Sequence, residues 1–120
     1  MLYVVDLDRM TAFYRDALGL EAAGGHDGGA DLRCAGSVLH LVQVPPAVAA
    51  GIVIGSPAER REDTPIKLLL PVNDVAATAR RAAAGGGQVD EDAQPWEWQG
   101  TLRLDVVDPE GNVVQLVAPA

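Results

Sequence analysis

The sequence predicts an α+β fold: two tandem βαβββ modules whose curled, cup-shaped mixed sheets carry their helices on the outer face. Three observations lead there. First, the chain repeats. Val4, Asp6 and Gly19 match Val72, Asp74 and Gly87, each 68 positions on, while Gly36, His40, Leu41 and Val42 match Gly111, Gln115, Leu116 and Val117, each 75 positions on. Two blocks in the same order at constant offsets that differ by seven describe a duplicated unit with seven extra residues in its second copy. Second, each copy holds one helical pattern with Asp before it and Gly after it. Third, the strands are apolar on both sides. In 38–44, Leu39 and Leu41 share one face while Val38, Val42 and Val44 share the other with His40; in 66–72, Ile66, Leu68 and Leu70 oppose Lys67 and Leu69. Such a sheet is covered on both faces. One face takes the helix, and the other curls into a cup whose apolar pattern is interrupted by His40, Lys67 and Gln115.

The elements follow in order. Met1–Val5 is a short apolar strand. A helix starts at Asp8 as N-cap and buries Met10, Phe13, Tyr14 and Ala17 at i, i+3, i+4 and i+7, with Gly19 as its stop. Glu21–Gly29 is rich in turn residues, with room for a short strand at its start. Asp31–Cys34 and Val38–Val44 form a hairpin turning near Gly36, and Pro45 and Pro46 end it. Module one therefore covers about 1–46. A linker over 47–64 follows, its AERRED run solvated. Module two covers about 65–120, and the two modules share one core as a single domain. Ile66–Val72 is a strand; Asp74 caps a helix over Val75–Ala84 that turns Val75, Ala79, Ala82 and Ala83 inward; Gly85, Gly86 and Gly87 end it. Gln88–Trp98 is a strand made irregular by Pro95, Thr101–Val107 is the next, and Asp108-Pro109-Glu110-Gly111 turns the chain into Asn112–Val117.

Composition narrows the function classes. The chain has 120 residues, a formal charge of −8, 48% hydrophobic residues and 4% aromatic ones. It is too apolar for disorder and builds its core from Ala, Val and Leu. With no Lys/Arg run it has no basic face for nucleic acid or an anionic membrane, whereas a cationic small molecule suits its charge. A single cysteine, Cys34, makes no internal disulfide. No stretch is long and apolar enough to span a membrane, and the acidic residues of MLYVVDLDRM interrupt any signal-peptide core. The expectation is a cytoplasmic protein without nucleic-acid or membrane partners.

Three stretches carry a family resemblance. VVDLDRMTAFYRDALGLE at 4–21 is similar to an opening of the form V-x-D followed by F-Y-x-x-x-L-G. VVDPEGNVVQLVAP at 106–119 is similar to a closing D-P-x-G-N-x-x-E-L, and PVNDV opens the second module. Together they resemble the vicinal-oxygen-chelate superfamily: glyoxalases, extradiol dioxygenases, fosfomycin-resistance enzymes and bleomycin-resistance proteins. The resemblance spans essentially the whole chain and implies the fold above, a homodimer, and clefts at or near the pairing of modules. It also implies where metal-dependent members place ligands, on the first and last strands of each module. Those slots fall on His40, Lys67 and Gln115, and on a position before Met1. An imidazole, an amide and an ammonium are a poor donor set for Zn²⁺ or Fe(II), so no metal and no cofactor are expected. His26, in GGHDGG, is a weak further candidate.

The candidate ligand-binding residues are therefore His40, Lys67, Gln115, Trp96, Trp98 and Arg103. Lys67 has three readings: reaching to the strand edge, pairing with a carboxylate, or binding an anionic group. Gln115 is a hydrogen-bonding wall residue, since an amide is neither acid nor base. Trp96 and Trp98 point the same way, towards a sheet edge, a subunit interface or a planar ligand. Arg103 and Asp105 share a face, where an ion pair is expected. No nucleophile elbow, phosphate loop, zinc finger or dinucleotide fingerprint is present. The leading function is a metal-independent protein that sequesters a cationic or planar small molecule in a cleft. A metal-dependent lyase, isomerase or dioxygenase is the alternative, and an accessory dimer whose cup is simply core is a third reading.

Overall fold

A computed structural model describes residues 1–63 and 65–120. The first module runs β1 (Leu2–Val4), α1 (Leu7–Ala12) continued by a π-turn (Phe13–Ala17), β2 (Glu21–His26), β3 (Gly29–Cys34) and β4 (Ser37–Gln43). After a single-turn α2 (Pro46–Ala49), the second runs β5 (Leu68–Pro71), α3 (Val75–Ala84), β6 (Trp96–Trp98), β7 (Thr101–Val107) and β8 (Val113–Pro119). The two mixed sheets have matching orders, β1-β4-β3-β2 and β5-β8-β7-β6. The sequence repeat is visible in their registers: Leu2 pairs with Leu41 and Tyr3 with Val42, while 68 and 75 positions on Leu70 pairs with Leu116 and Pro71 with Val117. Both modules also turn a hairpin on two residues of positive φ, Ala35-Gly36 and Gln99-Gly100, the geometry that suits the twist of the strands it joins. Among the described residues, no helix is long and apolar enough to cross a membrane.

Several expectations are corrected locally. The N-cap of α1 is Asp6, not Asp8: Asp6 is extended and its carboxylate accepts the N–H of Arg9 at 3.0 Å, whereas Asp8 already lies in the first turn. Asp74 does cap α3, accepting from Ala77, but the inward face is Val75, Thr78, Ala79 and Ala82, with Ala83 exposed. The buried Thr78 hydroxyl is satisfied by Arg81. The strand expected over Gln88–Trp98 reduces to one bridge, Gln88 to Val107, and the three residues of β6. The acidic turn at Asp90–Ala93 and Pro95, which has no N–H, interrupt pairing between them.

The linker is docked, not solvated. Ala58 is buried and its carbonyl accepts from Gln88, the Arg61 N–H bonds the carbonyl of Gly111, and Arg60 reaches Asp90 at 3.0 Å. Its expected last residue, Thr64, lies outside the described residues.

One core spans both modules. Met10, Phe13, Tyr14 and Ala17 meet Leu32 and Leu41 of the first sheet, Val75, Ala79 and Ala82 of α3, and Leu104, Val106, Val114 and Leu116 of the second sheet. Phe13 and Tyr14 pack edge to face at 5.4 Å. The turn between β7 and β8 supplies the polar ties. Asp108, wholly buried, accepts at Oδ1 from the N–H groups of Glu110 and Asn112, and at Oδ2 from the Asn112 amide and the Tyr14 hydroxyl at 2.7 Å. Glu110, 5% exposed, accepts the N–H groups of Val5 and Asp6 at 2.8–3.0 Å. A buried carboxylate is tolerable only with such donors.

Burial, then the nearby Asp108 charge, pushes the Tyr14 phenol well above its ordinary 10.0. Burial likewise pushes the Asp108 carboxyl up, against the hydrogen bonds from Asn112, Tyr14 and Glu110. For Tyr14 the folded state therefore keeps a proton that the unfolded chain releases near pH 10. The stability it contributes is intact below that pH and is lost as pH rises towards the folded value. Urea unfolding should show the native chain losing up to about 1.4 kcal/mol per pH unit above pH 10 relative to Tyr14→Phe. Parallel pH profiles would show that Tyr14 is not held protonated.

Candidate functional site

The second sheet presents its helix-free face as a chain of polar contacts. Strand alternation places Lys67, Leu69, Gln115, Asp105, Arg103, Trp96 and Trp98 on this side, because β5 pairs Leu69 with Gln115, β7 pairs Asp105 with Gln115, and β6 pairs Trp96 with Arg103. The carboxylate of Asp105, 16% exposed at its side chain, is the hub: it accepts from Lys67 at 2.5 Å and from the Gln115 amide at 3.0 Å, with Arg60 at 3.7 Å. Gln115 in turn accepts from Arg103 at 2.8 Å. Arg103 also donates to Thr101 and lies over the Trp98 ring at 4.3 Å. The ion pair expected between Arg103 and Asp105 is thus bridged by the amide of Gln115, whose two ends match a donor and an acceptor. Lys67 takes the carboxylate-pairing option among its three readings. It remains half exposed, so the pair orients more than it stabilises.

His40 belongs to the first sheet. On the first sheet β3 pairs Asp31 with His40, and Asp31 accepts from the His40 Nδ1 at 2.7 Å. The ring is half exposed, and its Nε2 has no hydrogen-bond partner among the described residues. His40 and Gln115, equivalent in the repeat, are each held by the Asp opposite them on the preceding strand. Among the described residues no hydrogen bond joins His40 to Lys67 or Gln115. Asp31 was absent from the sequence-based candidates although it was legible: a two-residue turn at 35–36 sets residue 31 opposite residue 40. The buried carboxylates Asp108 and Glu110 left no comparable signal.

Grooves lie beside these faces. Val38 and Leu39 meet Leu69, Leu70 and Pro71 across a groove of about 310 Å³ at the module boundary. Cys34 lies in the same groove, its thiol raised by burial, and is a small apolar residue there. Val113 instead floors a pocket of about 160 Å³ beside Lys67, and a groove of about 470 Å³ runs along the docked linker. Tyr3, Leu69, Trp96 and Trp98 are exposed, Trp98 to 51%. The donor set fits a catalytic divalent ion poorly. Lys67 and Gln115 are occupied with Asp105, and among the described residues no three His, Cys, Asp or Glu side chains are placed to share an ion.

Solved structures share this architecture. A glyoxalase-related enzyme from Fulvimarina pelagi is 24% identical, with a TM-score of 0.69 over 98% of this chain and 83% of that one. A glyoxalase/bleomycin resistance protein from Albidiferax ferrireducens is 18% identical, with a TM-score of 0.69 over 100% and 95%. The bleomycin-binding protein of bleomycin-producing Streptomyces verticillus, solved with copper(II)-bleomycin, is 21% identical, with a TM-score of 0.59 over 99% and 92%. At these identities the likeness is one of fold. No curated protein matches the chain. The family model described as Glyoxalase/Bleomycin resistance protein/Dioxygenase superfamily matches residues 1–116, and the chain belongs to that superfamily.

Proposed function

We propose that the protein binds a small planar molecule, without a metal, in a cleft over the helix-free face of the second sheet. The observation that carries this reading is the linked set Lys67–Asp105–Gln115–Arg103–Trp98, in which fixed polar groups stand beside exposed indole and leucine surface. Apolar walls with a few oriented polar groups are what small-molecule sites use. Arg103, held from two sides, fixes the Trp98 ring as a platform, and Trp96 offers a second ring beside it. Gln115 and Lys67 keep spare hydrogen-bonding capacity towards the ligand. Composition left a cationic and a planar ligand open; the three cations lining this face support the planar one.

His40 is a ligand contact from the first sheet, oriented by Asp31. Reaching the same molecule requires the two faces to close on one another, which a symmetric homodimer would provide. Exposed Tyr3, Val38, Leu69, Trp96 and Trp98 supply apolar surface for such an interface. Against the alternative, a metal-dependent lyase, isomerase or dioxygenase, stands the donor set: Lys67 would repel an ion held beside Gln115.

Protein purified without chelator should carry well under one equivalent of Zn, Fe, Mn or Ni. In a thermal-shift screen planar aromatic ligands should raise the melting temperature, and Arg103→Ala should abolish the rise. Stoichiometric metal that survives dialysis and is lost in His40→Ala would overturn the reading. For the assembly, sedimentation at micromolar concentration should give a dimer; a monomer would remove the shared cleft.

A further inference from the structure

Lys67 is the only lysine of the chain, and four of the nine basic side chains, Arg60, Arg61, Lys67 and Arg103, gather at or beside one sheet face in a protein of net charge −8. Three of them, Arg60, Arg61 and Lys67, line the pocket of about 160 Å³ whose floor is the buried Val113 and whose rim is Ile66 and Glu62. Their pairings leave an imbalance. Arg60 is spent on Asp90, Glu62 and Asp105. Lys67 gives one N–H to Asp105 and keeps two. The Arg61 guanidinium has no partner among the described residues, while its backbone N–H, bonded to the Gly111 carbonyl, anchors it at the pocket. Glu62 is the one acid in the lining, and it is mostly exposed and turned to Arg60.

We propose that this pocket receives an oxyanion, the carboxylate or phosphate group of the ligand, on the free donors of Lys67 and Arg61. The inference rests on the ligand-binding reading above and adds the charge of the ligand to it. The volume suits a single anionic group and is well short of the roughly 300–1,000 Å³ that a whole small molecule occupies. The rest of the molecule lies outside it, over the sheet face that leads from Lys67 through Gln115 to Arg103 and Trp98. A cationic group in the same place would meet Lys67 and Arg61 at close range and lose. The nearest acids, Asp105 and Glu62, are paired with Lys67 and Arg60, and charges beyond about 8 Å are screened at physiological salt.

The test is an amide NMR titration of the full chain with three probes at physiological salt: sodium benzoate, inorganic phosphate and benzylammonium. Benzoate or phosphate should shift the amides of Arg61, Lys67 and Gly111, and benzylammonium should not. The affinity should fall as salt is added and drop by about fivefold or more in Arg61→Ala, the loss expected for a charge-assisted contact. Lys67→Met should weaken it likewise, but also frees Asp105; Arg61→Ala, whose side chain is exposed, carries the test if that variant is unstable. Tighter benzoate assigns an aromatic carboxylate, and tighter phosphate a phosphoryl compound. If benzylammonium shifts these amides and the oxyanions do not, the charge assignment falls while ligand binding stands. If all three probes leave the amides unmoved, or Arg61→Ala binds as well as the native chain, the pocket is not an oxyanion site. The ligand screen and metal analysis decide the broader reading independently.

Discussion

The carboxylate of Glu110, near one end of the chain, accepts the backbone N–H groups of Val5 and Asp6 at the other, and the rest of the structure leans on that contact. Asp6 is the cap of α1, so fixing its backbone fixes where the helix begins. The helix then places Tyr14, whose hydroxyl reaches Asp108 in the same turn that carries Glu110. The dependence closes on itself: the turn of module two sets the helix of module one, and that helix satisfies the turn. A unit of roughly 50 residues is too small to be independently robust. Hydrogen bonds to a charged group contribute about 1.5–3 kcal/mol each, and losing them would leave the carboxylate buried and unpaired. The D-P-x-G-N pattern is thus a device for joining modules before it has any bearing on chemistry.

The two modules share a plan and diverge where that plan meets its neighbours. Gly19 and Gly87 are equivalent in the repeat but answer different constraints. Gly19 follows α1 at a φ of +81° in open space, whereas a side chain at Gly87 would run into the Phe13 ring and the Val107 carbonyl. The Asp31–His40 and Asp105–Gln115 pairs are likewise one cross-strand arrangement with different outcomes. The first leaves an imidazole nitrogen free. The second, joined by Lys67 and Arg103, becomes a network of charge.

Much of this was legible in the residues. Constant offsets gave the duplication, Asp74 and the triple glycine bounded α3, and alternation gave the two faces of the strands at 38–44 and 66–72. What failed did so for tertiary reasons. Asp8 and Asp6 are equally good caps locally, and Glu110 is what holds the backbone of Asp6. The run AERRED reads as solvated until Gly111, Gln88 and Asp90 are found beside it. Alternation also put Arg103 and Asp105 on one face, but did not show that the amide of Gln115 would bridge them. Periodicity assigned His40 and Lys67 to faces of their own sheets and says nothing about how two sheets meet.

The Glu110 latch can be examined directly by hydrogen exchange at the Val5 and Asp6 amides. Asp6 is an exposed residue whose amide would otherwise exchange quickly. If the latch joins the modules, both amides should open only with the free energy that opens the β7–β8 ladder, and Glu110→Gln should release them first. Exchange of Val5 and Asp6 at unprotected rates, while β7 and β8 stay closed, would contradict the account.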